Sequence, residues 1–331
     1  MPTMLFVCQS GYETLARTEL DWRSGNSLSP YSGPGWLLHS GRVEPLDALA
    51  FPHLALQDPA EITGDSVNAL ASRILDWFLA AVKGQAISEA WPVWWEGPAE
   101  LNGLGRRISA VQAAFEELLR KRMSRVAKLA QPGAGQGRGA ARGLFVWFAD
   151  FKRAFVARDA WRGGQRRMAD DSLAPSRSYL KVEEAYQILG RSPGANETVV
   201  DLGAAPGGWS YSAARRGARV LAIDNGPLKG GAADHPLIEH RREDAFKFAL
   251  LKGQAIDWLF CDLVEEPHHV WSHLLKPWVE RRWCRHFIVN LKFGRVDPVG
   301  LLKELAPALP PGTLIRHLYH DREEFTLTGS L

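Results

Sequence analysis

Residues 198–209, Thr-Val-Val-Asp-Leu-Gly-Ala-Ala-Pro-Gly-Gly-Trp, decide the fold of the C-terminal half of this chain. Val199 and Val200 are β-branched and apolar, which predicts the end of a buried strand. The glycines that follow let the backbone bend sharply, and residues 209–216 have helical composition. A strand, a glycine-rich bend and a helix in this order are typical of a site for a nucleotide-type cofactor.

The spacing of these glycines distinguishes two classes of cofactor. The dinucleotide fingerprint requires G-x-G-x-x-G, whereas this stretch has G-x-x-x-G-G with Pro206 inside it, which disfavours NAD and an oxidoreductase. The glycines alone also leave open a bend that binds no ligand. The string from Asp201 to Trp209 resembles the first motif of the S-adenosylmethionine-dependent methyltransferases, in particular the ribose 2′-O-methyltransferases related to the heat-shock rRNA methyltransferase.

The rest of the C-terminal half alternates between strand and helix patterns. Strand candidates follow one another at 199–202, 219–223, 238–241, 257–261, 287–291, 314–319 and 324–328. Helical patterns precede or separate them at 179–189, with Ser178 as the expected cap, and at 209–216, 245–251, 269–282 and 298–306. This alternation predicts an α/β, Rossmann-like domain with a seven-stranded, mostly parallel sheet. The last two strands are too close for a helical crossover, so the sheet should end antiparallel.

Polar residues end or follow many of these strands. Ligands of parallel α/β sheets bind at the carboxyl ends of the strands. Asp224 comes 23 residues after Asp201, the separation expected of an acid that binds ribose hydroxyls, and Asp244 is placed to reach an adenine edge. Each such residue alone could be a solvated strand end. Their joint occurrence at one edge favours a site formed by Asp201, Asp224, Asp244, Asp262, Lys292 and Glu324.

Four residues of this chain resemble the K-D-K-E tetrad of the ribose 2′-O-methyltransferases: Lys181, Asp262, Lys292 and Glu324. The strings at 176–185 and 317–324 closely resemble the bacterial 23S rRNA cytidine 2′-O-methyltransferase family, the ribosomal large-subunit methyltransferases M. The resemblance is strong over 176–328 and weaker over 1–165. Glu323 is an alternative to Glu324, which we prefer because it directly precedes the apolar Phe325.

The resemblance implies a cofactor, a substrate and a set of roles. S-adenosylmethionine would be the cofactor, a cytidine of 23S rRNA the substrate and Lys292 the acceptor of the ribose proton, with no metal. One departure is Ala205, where many members have Cys. The cofactor-binding positions implied are Ser178, Asp201, Gly203, Ala205, Pro206, Gly207, Gly208, Asp224, Asp244 and Asp262.

The N-terminal half carries a concentrated positive charge. Residues 103–167 contain 15 Lys or Arg and 4 Asp or Glu, in a chain of net charge +3. Such a segment is a solvated helix face or the footprint of a polyanion, and beside a ribose methyltransferase module we favour RNA. The resemblance implies a ferredoxin-like α+β element at 1–55, a THUMP-like RNA-binding domain at 56–168 and the methyltransferase domain at 169–331.

Local patterns in this half predict a few elements. Helical periodicity covers 60–82 and 108–129, and strands are expected at 4–8, 35–39, 41–44 and 144–148. Trp91, Trp94 and Trp95 could stack on bases, although a core beside a strand is the more common place for such residues. The segment 131–143 is rich in glycine and predicts a loop.

Composition sets further limits. Cys8, Cys261 and Cys284 are far apart and form no C-x-x-C pair, which argues against a disulfide framework or a zinc site. No apolar run reaches the roughly 18 residues of a membrane helix. We therefore expect a cytoplasmic protein without a membrane partner, and a monomer because no heptad pattern is present. Two alternatives remain open: a non-catalytic RNA-binding or assembly factor, and a 2′-O-methyltransferase of another RNA class.

Overall fold

The computed structural model describes residues 3–25, 31–41, 43–132, 137–250 and 255–331. They form two compact units, one of Met1–Asp47 with Phe51–Gly164 and one of Ala48–Ala50 with Gln165–Leu331. None of the helices in the described ranges combines the length and apolar character that crossing a bilayer requires. Parts of three predicted elements lie outside the described residues: Arg42 of the strand 41–44, residues 133–136 of the loop, and Leu251 of the helix 245–251.

The first unit contains one mixed sheet with helices. Its elements are β1 (Thr3–Val7), α1 (Glu13–Ser24), β2 (Ser32–Gly33), β3 (Trp36–Ser40), β4 (Leu54–Gln57), β5 (Ala60–Thr63), α2 (Val67–Ala81), β6 (Trp91–Glu96), α3 (Leu104–Arg122), α4 (Ser124–Leu129), β7 (Ala130–Pro132), β8 (Gly139–Phe148) and β9 (Arg153–Arg162). The strand order is β2-β3-β1-β4-β9-β8-β6-β7, with β5 also paired to β9. Strand β4 spans residue 55, where we expected a boundary between two segments. Strands from both expected segments, 1–55 and 56–168, therefore belong to one sheet.

Several predictions for the first unit were wrong in detail. The helix expected at 60–82 begins only at Val67, because Ser66 caps it by accepting a hydrogen bond from Ala69 N at 3.1 Å, and residues 60–63 instead pair with β9. The helix expected at 108–129 is interrupted at Met123. The described residues of the strand expected at 41–44 form no strand, and the loop expected at 131–143 partly belongs to β7 and β8.

The tryptophans of the first unit lie on strand β6. Trp91 is 5% exposed and stacks on Phe78 with ring centroids 5.1 Å apart. Trp94 stacks on Trp147, and Trp95 packs against the core between α2, α3 and the sheet. The interpretation of these residues as core is therefore confirmed.

The second unit is a doubly covered α/β domain. Its elements are α5 (Tyr179–Leu189), β10 (Thr198–Leu202), α6 (Gly208–Ala214), β11 (Arg219–Ile223), β12 (Ile238–Arg241), β13 (Ile256–Cys261), α7 (Pro267–Val270), α8 (Lys276–Glu280), β14 (Cys284–Lys292), α9 (Pro298–Leu305), β15 (Leu314–Arg316) and β16 (Glu324–Ser330). A π-helical turn joins α7 and α8. The seven strands have the order β12-β11-β10-β13-β14-β16-β15. β10 to β14 pair in parallel, whereas β16 is antiparallel to both of its neighbours, which confirms the predicted sheet.

Three local predictions for this unit were wrong. Ser178 has helical backbone angles and makes no capping hydrogen bond. Residues 245–247 form a turn and 248–250 are irregular, so no helix forms, since Asp244 Oδ1 accepts a hydrogen bond from Phe246 N at 3.0 Å and closes a local turn. The strand expected at 314–319 ends at Arg316, because the backbone amide of Tyr319 donates to the buried Glu184 carboxylate at 3.0 Å instead of joining the sheet.

Candidate active site

The bend after β10 has a backbone that suits glycine at two positions. Gly203 has a φ of +79° and Gly207 a φ of +105°, both in the left-handed region. A Cβ on Gly203 would lie 2.4 Å from Leu263 Cδ2, and one on Gly207 would lie 2.6 Å from the Cβ of Ala232. Gly203 therefore packs closely on the segment that follows β13, which brings Leu263 and its neighbour Asp262 against this glycine, whereas Gly207 packs on Ala232.

Two predicted acidic residues accept hydrogen bonds from the bend and from the residues that follow β10 and β11. Asp201 is 1% exposed and accepts a hydrogen bond from Ser210 Oγ at 2.6 Å, and burial raises its pKa to about 7. Asp224 accepts from the backbone amides of Ala205 at 3.0 Å and Gly226 at 2.7 Å. A carboxylate has about four lone-pair positions, so Asp224 can still accept a hydrogen bond from a ligand hydroxyl. Asp201 is buried, and its hydrogen bond to Ser210 joins β10 to α6.

The other predicted cofactor positions surround the same bend. The Ser178 hydroxyl lies 2.9 Å from Ser176 Oγ, and a Cβ on Gly208 would come within 3.1 Å of Ser178 Oγ. Pro206 follows Ala205 within the bend, and its carbonyl accepts from Lys229 N at 2.9 Å. Asp244, half-buried beyond β12, has one oxygen bound to its own turn.

The four tetrad residues come from four separate elements. Lys181 lies in the first turn of α5, Asp262 directly follows β13, Lys292 ends β14 and Glu324 begins β16. The antiparallel pairing of β14 with β16 places Lys292 directly opposite Glu324. Because β13 is parallel to β14, the carboxyl ends of both strands reach the same edge of the sheet.

The structure brings all four side chains into contact. Lys181 Nζ lies 2.6 Å from Glu324 Oε1 and 3.7 Å from Asp262 Oδ1. Lys292 Nζ lies 2.5 Å from Asp262 Oδ1 and 3.3 Å from Glu324 Oε2. Each lysine therefore contacts both carboxylates. The four side chains are between 9% and 20% exposed, so solvent screens these charges only partly.

The mutual attraction of these charges decides their protonation in the free protein. Burial alone would lower the pKa of Lys292, but the Asp262 and Glu324 carboxylates outweigh burial and raise it above its ordinary value. Burial alone would raise the pKa of Glu324, but Lys181 and Lys292 outweigh it and lower that pKa. At neutral pH the free site thus holds Lys292 as an ammonium and Glu324 as a carboxylate.

The neighbouring Glu323 has a different environment. This residue is exposed, whereas the side chain of Glu324 is 9% exposed and contacts both lysines. Sequence reasoning missed two further polar residues beside the tetrad, Asn290 and Thr326, which pair across β14 and β16. The sequence does contain a signal for Asn290: it is the one polar residue in the run Phe-Ile-Val-Asn-Leu. It comes two residues before Lys292 and so lies on the same face of the strand.

The donor set fits a nucleoside cofactor better than a metal ion. Asp224 and Asp244 offer carboxylate oxygens to hydroxyl or amino groups, and the glycines let a ligand approach the backbone. Among the described ranges, no group of three or more His, Cys, Asp or Glu side chains is arranged to hold a metal.

Comparison with known proteins identifies the family. A family model described as FtsJ-like methyltransferase matches residues 174–280. The ribosomal RNA large subunit methyltransferase M of Halorhodospira halophila (strain DSM 244 / SL1) is 37% identical over 258 residues, 75% of this chain and 72% of that protein. The chain belongs to the ribosomal RNA large subunit methyltransferase M family. The member from Thauera aminoaromatica is 31% identical over 358 residues, 98% of this chain and 94% of its own length.

Membership of the ribosomal RNA large subunit methyltransferase M family confirms three predictions. The chain is an enzyme of the methyltransferase class, its α/β domain is the FtsJ-like one, and S-adenosylmethionine is its cofactor. An NAD-dependent oxidoreductase is therefore set aside. The ferredoxin-like element at 1–55, the THUMP-like domain at 56–168 and the roles of individual side chains stay predictions.

Proposed function

We propose that this chain, as a cytoplasmic monomer, transfers a methyl group from S-adenosylmethionine to the ribose 2′-oxygen of a cytidine in 23S rRNA. The observation that carries the proposal is the convergence of Lys181, Asp262, Lys292 and Glu324 on one another. Asp262 joins this cluster to the glycine bend, because its neighbour Leu263 packs against Gly203. The names of the relatives support the large-subunit rRNA as the substrate.

The chemistry divides between cofactor and protein. When bound, S-adenosylmethionine supplies an electrophilic methyl carbon on a sulfonium, whose C–S bond breaks as the O–C bond forms. The chain must align the 2′-oxygen with that carbon, which can contribute up to ~7–11 kcal/mol in the best cases. It must also accept the hydroxyl proton, and the amine of Lys292 at the end of β14 is the group to which we assign this step.

The proposed role requires Lys292 to be neutral when the proton moves. An ordinary lysine has a pKa of about 10.4, so a neutral amine at pH 7 costs about 4.6 kcal/mol at 1.36 kcal/mol per unit. The raised pKa of Lys292 increases that cost. Asp262 and Glu324 therefore serve to hold the amine in place and not to make it more acidic. Lys181 in turn fixes Glu324 through the 2.6 Å contact.

Replacing Lys292 by Ala tests this assignment. We expect methyl transfer to 23S rRNA to fall by at least ~10²–10⁴-fold, the usual contribution of a general base, while calorimetric affinity for S-adenosylmethionine stays within about threefold. Lys276→Ala, at a lysine that is half-exposed on α8, is the matched control and should leave both quantities unchanged. Turnover retained in Lys292→Ala would remove this residue from the role. Mass mapping of the product would show whether the methyl group is on a cytidine 2′-oxygen.

We also propose that the first unit binds the rRNA, through the ferredoxin-like element at 1–55 and the THUMP-like domain at 56–168. The α3–α4 basic patch supports this part of the proposal, and consists of Arg120, Lys121, Arg122, Arg125 and Lys128. All five residues are exposed on the end of α3 and on α4. Only Lys121 forms an ion pair with an acid in the described part of the chain, at 2.5 Å to Glu117. Charges at helix ends also stabilise the helix itself, so an RNA-binding measurement is needed.

The salt dependence of RNA binding tests the α3–α4 basic patch. Replacing its five residues by Gln keeps helix-forming side chains but removes five positive charges. If all five contact phosphates, the slope of log affinity against log salt should become shallower by about 3.5, at about 0.7 per contact on single strands. Affinity for S-adenosylmethionine is the internal control. An unchanged slope would show that this patch does not bind the RNA backbone.

A further inference from the structure

A chain of buried polar side chains lies behind the tetrad, and neither the sequence motif nor the proposed function assigns it a role. Asn290 Nδ2 donates to Asp262 Oδ1 at 3.0 Å. The Thr326 hydroxyl lies 2.6 Å from Asn290 Oδ1 and 3.0 Å from Asp321 Oδ2. Asn290 and Thr326 are 0% exposed, and Asp321 is 4% exposed. We name Asp321, Thr326 and Asn290 the buried relay, which ends on Asp262.

Counting hydrogens shows that this arrangement needs one more proton than its neutral groups supply. Three contacts link Asp262, Asn290, Thr326 and Asp321 in a row, and each contact needs one hydrogen. The amide of Asn290 supplies one along this row and the hydroxyl of Thr326 supplies one, while ionised carboxylates only accept. Rotating the amide of Asn290 reverses the direction of donation but leaves the count unchanged. One of the two terminal carboxyl groups must therefore carry a proton.

The surroundings of the two carboxyl groups decide which one it is. Asp262 Oδ1 lies 2.5 Å from Lys292 Nζ and 3.7 Å from Lys181 Nζ, so two cationic groups face this carboxyl group. Asp321 is buried and faces the negative Glu324, with Lys181 and Glu184 among the charged groups near it. The proton therefore belongs on Asp321. Donation then runs in one direction, from Asp321 to Thr326, from Thr326 to Asn290, and from Asn290 to Asp262.

An independent electrostatic consideration agrees with the hydrogen count. Burial and the charge of Glu324 together raise the pKa of Asp321 to about 8. Lys181 and the amide of Leu318 act in the opposite direction but do not cancel this effect. Asp321 is thus a neutral acid at pH 7, and the Leu318 amide donates to its Oδ2 at 2.9 Å.

We propose that Asn290 is a positioning residue, held by Thr326 and by a protonated Asp321, that fixes the Asp262 carboxylate against the two lysines. The proposal rests on the proposed function, since it assigns a purpose to the orientation of the tetrad. Asp262 Oδ1 accepts both from Asn290 and from Lys292. Without the Asn290 contact the carboxylate is free to rotate about its last bond, and the Lys292 amine loses its fixed direction toward the substrate.

Substitutions of similar size test the buried relay. Thr326→Val removes the hydroxyl and should lower kcat by about tenfold, the effect of one lost orienting hydrogen bond, with the KM for S-adenosylmethionine within about twofold. Thr326→Ser restores the hydroxyl and should recover most of the loss. Asp321→Asn keeps a donor toward Thr326 and should retain kcat within about threefold at pH 7. Equal kcat in Thr326→Val and Thr326→Ser, or an Asp321→Asn variant as slow as Thr326→Val, would overturn the proposal.

A spectroscopic measurement tests the relay without relying on activity. The infrared carbonyl stretch of protonated Asp321 should appear in the difference spectrum of wild type minus Asp321→Asn at pH 7, because Asp201, whose pKa is also raised, contributes equally to both proteins. The same band should appear when this pair is compared in a Lys292→Ala background. A difference spectrum without this band would overturn the buried relay. Turnover retained in Lys292→Ala would instead overturn the proposed function. If Thr326→Val fails to fold, the comparison of Thr326→Ser with Asp321→Asn and this band still decide the matter.

Discussion

Replacing Glu324 by Gln removes a charge that two lysines share while keeping the size of the side chain. Glu324 Oε2 lies 3.3 Å from Lys292 Nζ, and a unit charge at that distance contributes ~5 kcal/mol at an effective dielectric constant of about 20 or ~1.3 kcal/mol in water. At 1.36 kcal/mol per pKa unit, the pKa of Lys292 should fall by between ~1 and ~4 units. Because neutral Lys292 is the proposed base, the rate of methyl transfer rises as the pH approaches the pKa of Lys292. In Glu324→Gln, the rising limb of the pH–rate profile should therefore move to lower pH.

The pH dependence of methyl incorporation into 23S rRNA measures this shift. Initial rates from about pH 6 to 10 lie on the rising limb of the wild type, whose Lys292 pKa is above its ordinary value, and give the offset in pH between wild type and variant. Glu323→Gln is the matched control, because it removes the same formal charge from an exposed neighbour, and its limb should coincide with that of the wild type. The loss of the 2.6 Å Lys181 contact should also lower the maximal rate. A folded Glu324→Gln variant whose limb stays at the wild-type pH would refute the reasoning.

Two further substitutions probe the glycine bend. Gly203→Ala should lower both methyl transfer and the free energy of unfolding. The left-handed φ costs about 1–2 kcal/mol for a residue with a Cβ, and the new Cβ pushes on Leu263 beside Asp262. The control Gly312→Ala, at a φ of +83° with nothing within 4 Å, should lower only the free energy of unfolding, measured in urea. Asp201→Asn should gain stability over the wild type as pH rises from about 4 to 7, by up to ~4 kcal/mol. The folded carboxyl, with its pKa of about 7, stays protonated in that range while the unfolded one ionises. A constant difference between pH 4 and pH 8 would contradict the Asp201 prediction.

The sheet of the second unit could be predicted because most of its central strands, such as β10, β11, β13 and β14, contain an apolar run. Parallel strands also fix where their carboxyl ends lie, so Asp262 and Lys292 could be placed together without any contact information. The first unit was harder to predict. Strand β9 (Arg153–Arg162) has charged residues at several positions, and its pairing with β4, β5 and β8 is specified by distant partners and not by its own pattern.

Local signals also misled where side chains bind backbone amides. The apolar residues at 245–251 suggest a helix, but the turn closed by Asp244 comes first and fixes a different backbone direction. Similarly, residues 317–319 have strand composition, yet the carboxylate of Glu184, far away in sequence, takes the amides of Tyr319 and His320. Such buried acceptors cannot be found from a one-dimensional pattern, because their effect depends on which segment reaches them.

The antiparallel strand β16 explains why one residue of the tetrad begins a strand while two others end or follow strands. An antiparallel strand places its first residue at the edge where its parallel neighbours end, so Glu324 meets Lys292 directly. The same register places Thr326 opposite Asn290, two residues further from the edge and on the same face. The ladder that assembles the charged cluster therefore also assembles the buried relay beneath it. A one-residue shift of β16 would turn both Glu324 and Thr326 to the other face, so the two sets of contacts would be lost together.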